Sequence, residues 1–145
     1  MQLTTQTDYA LRTLMYLAAV SSRATVGEVS QLFGISVHHV AKVVNLLSRH
    51  GFVRSIRGVG GGIELARQPD QILVGDVISR FEGSLHLLDC IDQTNVCAIE
   101  SFCKLKRVLA EAERIQLEYL NSVTLAEIAP THRQLNRSAA SSEPK

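Results

Sequence analysis

A chain of 145 residues, 46% of them apolar, can bury one ordinary core. Its longest early apolar stretch, Tyr9 to Val20, carries Arg12 and falls short of the ~20 residues a membrane span needs; with no basic segment and cleavage site ahead of it, neither a membrane nor a secretory signal is expected, and the expected compartment is cytoplasmic. The net charge of +1 hides an asymmetry: residues 1–67 hold seven Lys/Arg against three Asp/Glu, and residues 68–145 hold eight against eleven, so the first half suits a polyanion.

The first predicted helix runs from about Thr7 to Val20. Leu11, Leu14, Met15, Leu17 and Ala18 recur with helical period, and Asp8 sits in the first turn, where the helix dipole favours an acid. A short second helix starts at Thr25, which stands at capping-box spacing from Glu28, and Gly34 closes it. Ser36 is placed to cap a third helix that ends at His50-Gly51. Only the Gly34-Ile35-Ser36 corner separates these two helices, which is helix-turn-helix spacing. In the third helix Val40, Val43, Val44 and Leu47 share one face, and His38, Lys42, Asn45 and Arg49 share the other.

After Gly51 two short extended runs follow, Phe52 to Arg57 and Ile63 to Arg67. The glycine-rich Gly58-Val59-Gly60-Gly61-Gly62 separates them, so a two-stranded hairpin is expected. Another helix is predicted from Val74 to Glu82, ended by Gly83. Ser84 to Cys103 lacks periodicity and reads as a loop. From Lys104 to about Val123 a long helix carries Leu105, Val108, Leu109, Ala112, Ile115, Tyr119 and Leu120. At ~30 Å its apolar stripe needs a partner helix, which a two-fold homodimer supplies. The expected fold class is mainly α with a small β-hairpin wing. Its organisation is a winged helix-turn-helix region over 1–83, a cysteine loop over 84–103, a dimerisation helix and extension over 104–128, and a polar tail over 129–145 without ordered structure.

A recognition helix must present short polar and basic groups at its N-terminal turns to reach base edges in a major groove ~12 Å wide. Ser36, His38, His39, Lys42 and Asn45 meet that need. Arg49, Arg54 and Arg57 are candidates for phosphate contacts. Gly60 and Gly61 would let the hairpin tip approach DNA closely. Taken singly, each part has a plainer explanation: an αα corner, a solvated helix face, and a glycine run that lacks the Gly-Lys-Ser/Thr of a phosphate loop. Helix, turn, helix and basic wing in succession, on the positive half of the chain, together point to double-stranded DNA.

Cys90, Cys97 and Cys103 are spaced Cys-x6-Cys-x5-Cys. An odd number of thiols in a reducing compartment argues against a disulfide framework. Structural zinc prefers tighter Cys-x2-4-Cys pairs, whereas thiolates in a wide loop suit iron-sulfur chemistry. Three buried small apolar residues are the plain alternative, but all three fall within fourteen residues of an otherwise cysteine-free chain. A fourth ligand must come from elsewhere. His86, Asp89, Asp92 and Glu100 lie near in sequence and Asp8 lies far; for Asp8 a simple helix-dipole role competes.

Four stretches carry a resemblance. They are Met-Gln-Leu-Thr-x-x-Thr-Asp-Tyr at 1–9, His39-Val40-Ala41-Lys42-Val43-Val44-Asn45-x-Leu47-Ser48-Arg49, Val53-x-x-x-Arg57-Gly58-x-x-Gly61-Gly62-Ile63, and Cys90, Cys97, Cys103-x-Leu105-Lys106. To about Ile128 the chain resembles the iron-sulfur winged-helix repressors of the BadM/Rrf type, in particular their nitric-oxide-sensing branch. The resemblance implies a homodimer that binds an inverted-repeat operator and represses nitric oxide detoxification genes. It also implies an iron-sulfur cluster, 4Fe-4S ahead of 2Fe-2S, on Cys90, Cys97 and Cys103, with Asp8 reaching across from the other subunit. Nitrosylation of the cluster would release the DNA. Three departures stand out. The first cysteine gap is long, Val59 and Glu64 occupy wing positions where relatives carry basic residues, and Lys106 stands where the cluster-biogenesis branch has a histidine. An iron- or redox-responsive repressor is the alternative, followed by an electron-transfer protein and a zinc-stabilised DNA-binding module. No base-nucleophile pair is visible, so an enzyme is not expected.

Overall fold

The computed structural model describes residues 2–83 and 85–141; Ser84 of the expected loop and 142–145 of the expected tail lie outside the described residues. Helix α1 (Thr5–Val20) is the central strut. It packs on α3 (Val37–Arg49) and α4 (Val74–Glu82), while α2 (Val26–Phe33) packs on α3. The expected helix starts were chemically sound. Thr25 and Glu28 form a complete capping box, Gly34 takes the left-handed conformation that ends α2, and Ser36 accepts the His39 amide at the head of α3. The first helix starts two residues earlier than expected, because Thr4 serves as its cap.

Ala10, Leu14 and Leu17 of α1 meet Val40, Val43, Val44 and Leu47 of α3 in the core, together with Val29 and Phe52. All four α3 residues are at most 4% exposed. At about 1.5–3 kcal/mol per fully buried large apolar side chain, this one interface outweighs any surface ion pair in the molecule. It therefore sets the angle at which the polar face of α3 leaves the body.

Strands β1 (Val53–Ile56) and β2 (Gly62–Leu65) form an antiparallel hairpin in which Arg54 stands opposite Glu64. The α1–α2 connection adds an edge to it: the Ala24 amide donates to Ile63 at 2.9 Å and the Ile63 amide donates back at 2.7 Å. The wing is thereby fastened to the helical body.

A side chain at Gly75 would collide with Asn121, so glycine there lets α6 (Lys104–Ser122) lie close against α4. Beyond α6, Thr124 completes a second capping box with Glu127 and starts α7 (Leu125–Ile128), whose Leu125 is buried in the core. No described residue of α6 is itself buried in a single chain.

Two expectations need correction. The cysteine loop contains a helical turn, α5 (Asp89–Asp92), and a 3-10 turn at Glu100–Phe102. The tail was expected to lack order, yet α8 (His132–Ser141) forms, with Thr131 and Gln134 satisfying each other's backbone amides and Leu135 buried. Polar composition obscured that Thr-x-x-Gln cap. No helix among the described residues is long and apolar enough to cross a membrane.

Candidate DNA interface and cysteine segment

Along α3 the core face and the exposed face divide as the periodicity requires. His38, His39, Lys42, Asn45 and Arg49 are all exposed. Ser36 has a second task, since its hydroxyl accepts the His39 amide at 3.3 Å and lies 3.0 Å from the His39 Nδ1. The His39 ring also packs against Tyr9 of α1, with centroids 6.2 Å apart. His39 is therefore held from two sides, whereas Lys42 and Asn45 project freely among the described residues.

The wing tip depends on glycine where it turns. Gly58 and Gly60 adopt φ values of 93° and 71°, and a β-carbon on Gly61 would strike the carbonyls of Ile56 and Gly58. Val59 is fully exposed at the tip. Arg57 is exposed and makes no ion pair among the described residues. Arg54 differs: its Nε donates to Glu64 at 2.6 Å, and Arg23 approaches the other Glu64 oxygen at 3.4 Å. The Arg54 hydrogen bond is the main force holding the Glu64 carboxyl below its usual range, against the effect of burial.

Cys90 is half-buried on α5, Cys97 is exposed, and Cys103 is half-buried at the head of α6, where its sulfur accepts the Lys106 amide at 3.4 Å. All three thiols are free. The donor set fits thiolate-ligated iron-sulfur chemistry, but one chain does not gather it: no three His, Cys, Asp or Glu side chains converge on a metal position among the described residues. Asp8 is occupied by Arg12 on its own helix at 2.9 Å. Of the nearer candidates, Glu100 pairs with Lys106 at 2.7 Å, and His86 pairs with Glu113 at 2.9 Å. Asp89 and Asp92 are exposed.

Tethers hold both ends of this segment. Glu113 of α6 accepts from the Leu87 amide as well as from His86. That hydrogen bond raises the His86 pKa. Burial pushes the Glu113 carboxyl up, but its hydrogen bonds from His86 and Leu87 bring it below the ordinary value. At the far end, hydrogen bonding by Lys106 lowers the Glu100 carboxyl.

A family model described as Rrf2, iron-dependent transcriptional regulator, matches residues 3–131. The chain belongs to the Rrf2 family. It is 38% identical over 131 residues to the HTH-type transcriptional regulator NsrR of Shouchella clausii, covering 88% of each chain. Among solved structures, CymR of B. subtilis, titled the global cysteine regulator, superposes with a TM-score of 0.75 at 25% identity, over 89% of this chain and 96% of that one. IscR of T. potens superposes with a TM-score of 0.70 at 25% identity, over 100% and 93%.

This Rrf2 chain is thus a DNA-binding winged-helix transcriptional regulator and not an enzyme. Sequence reasoning missed Arg23, Glu82, Glu113 and Tyr9. Arg23 meets Glu64 across 41 positions and Glu82 meets Thr7 across 75, separations that no local periodicity reports. The one available signal was the acid at 64 in an otherwise basic wing, which calls for a partner.

Proposed function

We propose that this Rrf2 regulator is a nitric-oxide-responsive, cytoplasmic repressor that binds an inverted-repeat operator as a homodimer through an iron-sulfur cluster-dependent conformation. The observation that carries this reading is the placement of three free thiols on one segment, between the DNA-binding head and α6, in a chain 38% identical to a protein named NsrR. Cys90, Cys97 and Cys103 would hold the cluster, 4Fe-4S ahead of 2Fe-2S, and Asp8 of the partner subunit would supply the fourth ligand. When bound, the cluster would supply iron able to react with nitric oxide, and a carboxylate ligand, harder and weaker than thiolate, would leave the iron it holds the more labile.

The functional units are the head over 1–83, the cysteine segment over 84–103 and α6 with its extension over 104–128. Leu105, Val108, Ala112, Ile115 and Tyr119 follow the three- and four-residue spacing of a helix seam, and the four large ones are each more than half exposed. Pairing of two α6 helices covers that seam and sets the spacing of two α3 helices, which must meet half-sites about 34 Å apart. Asp8 precedes Tyr9, which packs on His39, so a pull on Asp8 acts beside the recognition helix. Ser36, His38, His39, Lys42 and Asn45 would face bases, with Arg49, Arg57, Gly60 and Gly61 at the phosphates and Arg54 beside them, paired with Glu64.

Anaerobically purified protein should contain iron and sulfide, retard operator DNA, and release it on addition of nitric oxide. Retention of DNA regardless of nitric oxide overturns the reading. The family description, iron-dependent, favours one second reading: release when iron is withdrawn, with nitric oxide inert. Chelation in the same assay separates the two.

A further inference from the structure

The wing of this molecule carries an internal clamp. Glu64 lies between two arginines, with Oε1 on Arg54 Nε at 2.6 Å and Oε2 on Arg23 Nε at 3.4 Å. Arg23 also donates through its terminal nitrogen to the Gly60 carbonyl at 2.6 Å, reaching from the α1–α2 connection to the glycine tip. The Glu64 side chain is 21% exposed, while Arg54 remains 66% exposed. The backbone keeps these groups in place: Arg54 and Glu64 are register partners, and Ala24, next to Arg23, is bridged to Ile63, next to Glu64. A side chain at Gly62 would collide with Ala24 and Arg23, so the close approach of the two segments is built into the sequence.

One cation of the wing, Arg54, and one of the α1–α2 connection, Arg23, are therefore matched by one acid before any DNA arrives. Arg57, on the same hairpin, has no such acid among the described residues. A duplex attracts a protein in proportion to the phosphates it neutralises, and each one adds about 0.9 to the slope of log K against log salt. An acid in the wing lowers that sequence-independent attraction and leaves a larger share of the binding energy to base contacts from α3.

We propose that Glu64 and Arg23 form a wing clamp that fixes the glycine tip to the helical body and withholds Arg54 and Arg23 from phosphate, making Glu64 a specificity-determining residue of the DNA interface. The clamp rests on the DNA-binding reading, though not on any cluster or signal.

The test measures binding of the full chain to a random-sequence duplex by fluorescence anisotropy across a salt series, with Glu64→Gln and the double variant Arg54→Gln/Glu64→Gln. Glutamine keeps the shape of the side chain, and circular dichroism confirms the fold. For Glu64→Gln the slope should steepen by about 1–2 units, with both arginines released. The double variant has the net charge of the unsubstituted protein yet leaves Arg23 unmatched, so its slope should stay about one unit steeper. An unchanged slope in Glu64→Gln overturns the clamp, as does a double variant that returns fully to the unsubstituted value, which net charge alone would produce. Failure of the unsubstituted chain to bind any duplex overturns the DNA-binding reading and the clamp with it.

Discussion

Thr7 and Glu82 are joined across 75 positions of chain: the fully buried Thr7 hydroxyl donates to a Glu82 oxygen that also accepts from the Thr4 amide at 2.7 Å and the Thr4 hydroxyl at 3.0 Å. Glu82 sits in the last turn of α4, where the helix dipole disfavours an acid, so the stabilisation comes from the N-terminus of α1. This contact ties the helix that carries Asp8 and Tyr9 to the point where the cysteine segment begins.

Replacing Glu82 by Ala leaves the Thr7 hydroxyl without its long-range acceptor and should cost about 1–3 kcal/mol in urea unfolding. Replacement by Gln, which keeps an acceptor, should cost less. Burial pushes the Glu82 carboxyl up, but the three hydrogen bonds outweigh it and hold the pKa below the ordinary 4.5. A lowered folded pKa means the stabilisation is complete above that ordinary value and is lost as pH falls through the lowered one. Glu82→Gln should accordingly flatten the acid limb of the stability profile; an unaltered limb assigns it to other carboxylates.

Lys42 and Asn45 should separate affinity from specificity. If Lys42 contacts phosphate, Lys42→Gln weakens all duplexes alike and makes the salt slope shallower by about 0.9. Asn45→Ala should cost about 1–3 kcal/mol on the operator and little on random DNA. Anisotropy titrations on both duplexes read the difference, and equal losses on both would remove Asn45 from the base-reading set.

Ile115 is 54% exposed at the middle of the apolar seam of α6. Ile115→Glu places a charge where two seams would meet, so sedimentation should report a monomer with unchanged helical content. The fold of one chain should survive, because no residue of α6 is buried within it. A dimer that persists at micromolar concentration locates the subunit interface elsewhere.

His86 and Glu113 give the cysteine segment a pH dependence of its own. The His86 pKa is raised, chiefly by its hydrogen bond to Glu113, so the tether is fully formed below the ordinary 6.5 and is lost as pH rises through the raised value. Hydrogen exchange at the Leu87 amide, corrected for intrinsic rate, should lose protection over that interval. Glu113→Gln should remove the pH dependence, and protection that stays flat in the unsubstituted chain would show the tether to be independent of His86.

Much of the head was legible because its signals are local. The Thr25–Glu28 box, the Gly34 stop and the Ser36 cap each act over three or four residues, and the Val40, Val43, Val44 and Leu47 stripe reports its own burial. The α8 helix was missed because its Thr131–Gln134 cap is followed by mostly polar residues; among the described residues, Leu135 is the buried apolar side chain of α8.

The candidate site divides along the same line. That α3 exposes Lys42 and Asn45 follows from helical period alone, since a 3.6-residue repeat fixes which side chains oppose a buried stripe. That Arg54 is held by Glu64, that Arg23 secures the wing tip, that His39 rests on Tyr9 and that Asp8 is paired within its own helix are pairings of specific atoms. Asp8 and Arg12 share one helix, and Arg54 and Glu64 are register partners of the hairpin; the other two pairings join groups far apart in the chain, which only the packing of α1 against α3, and of the α1–α2 connection against β2, brings together. Residue type and local period fixed α1 to α4, α6, the wing and the supply of thiols; which charges remain free to meet DNA was decided by tertiary distance, because an ion pair depends on separation in space and not along the chain.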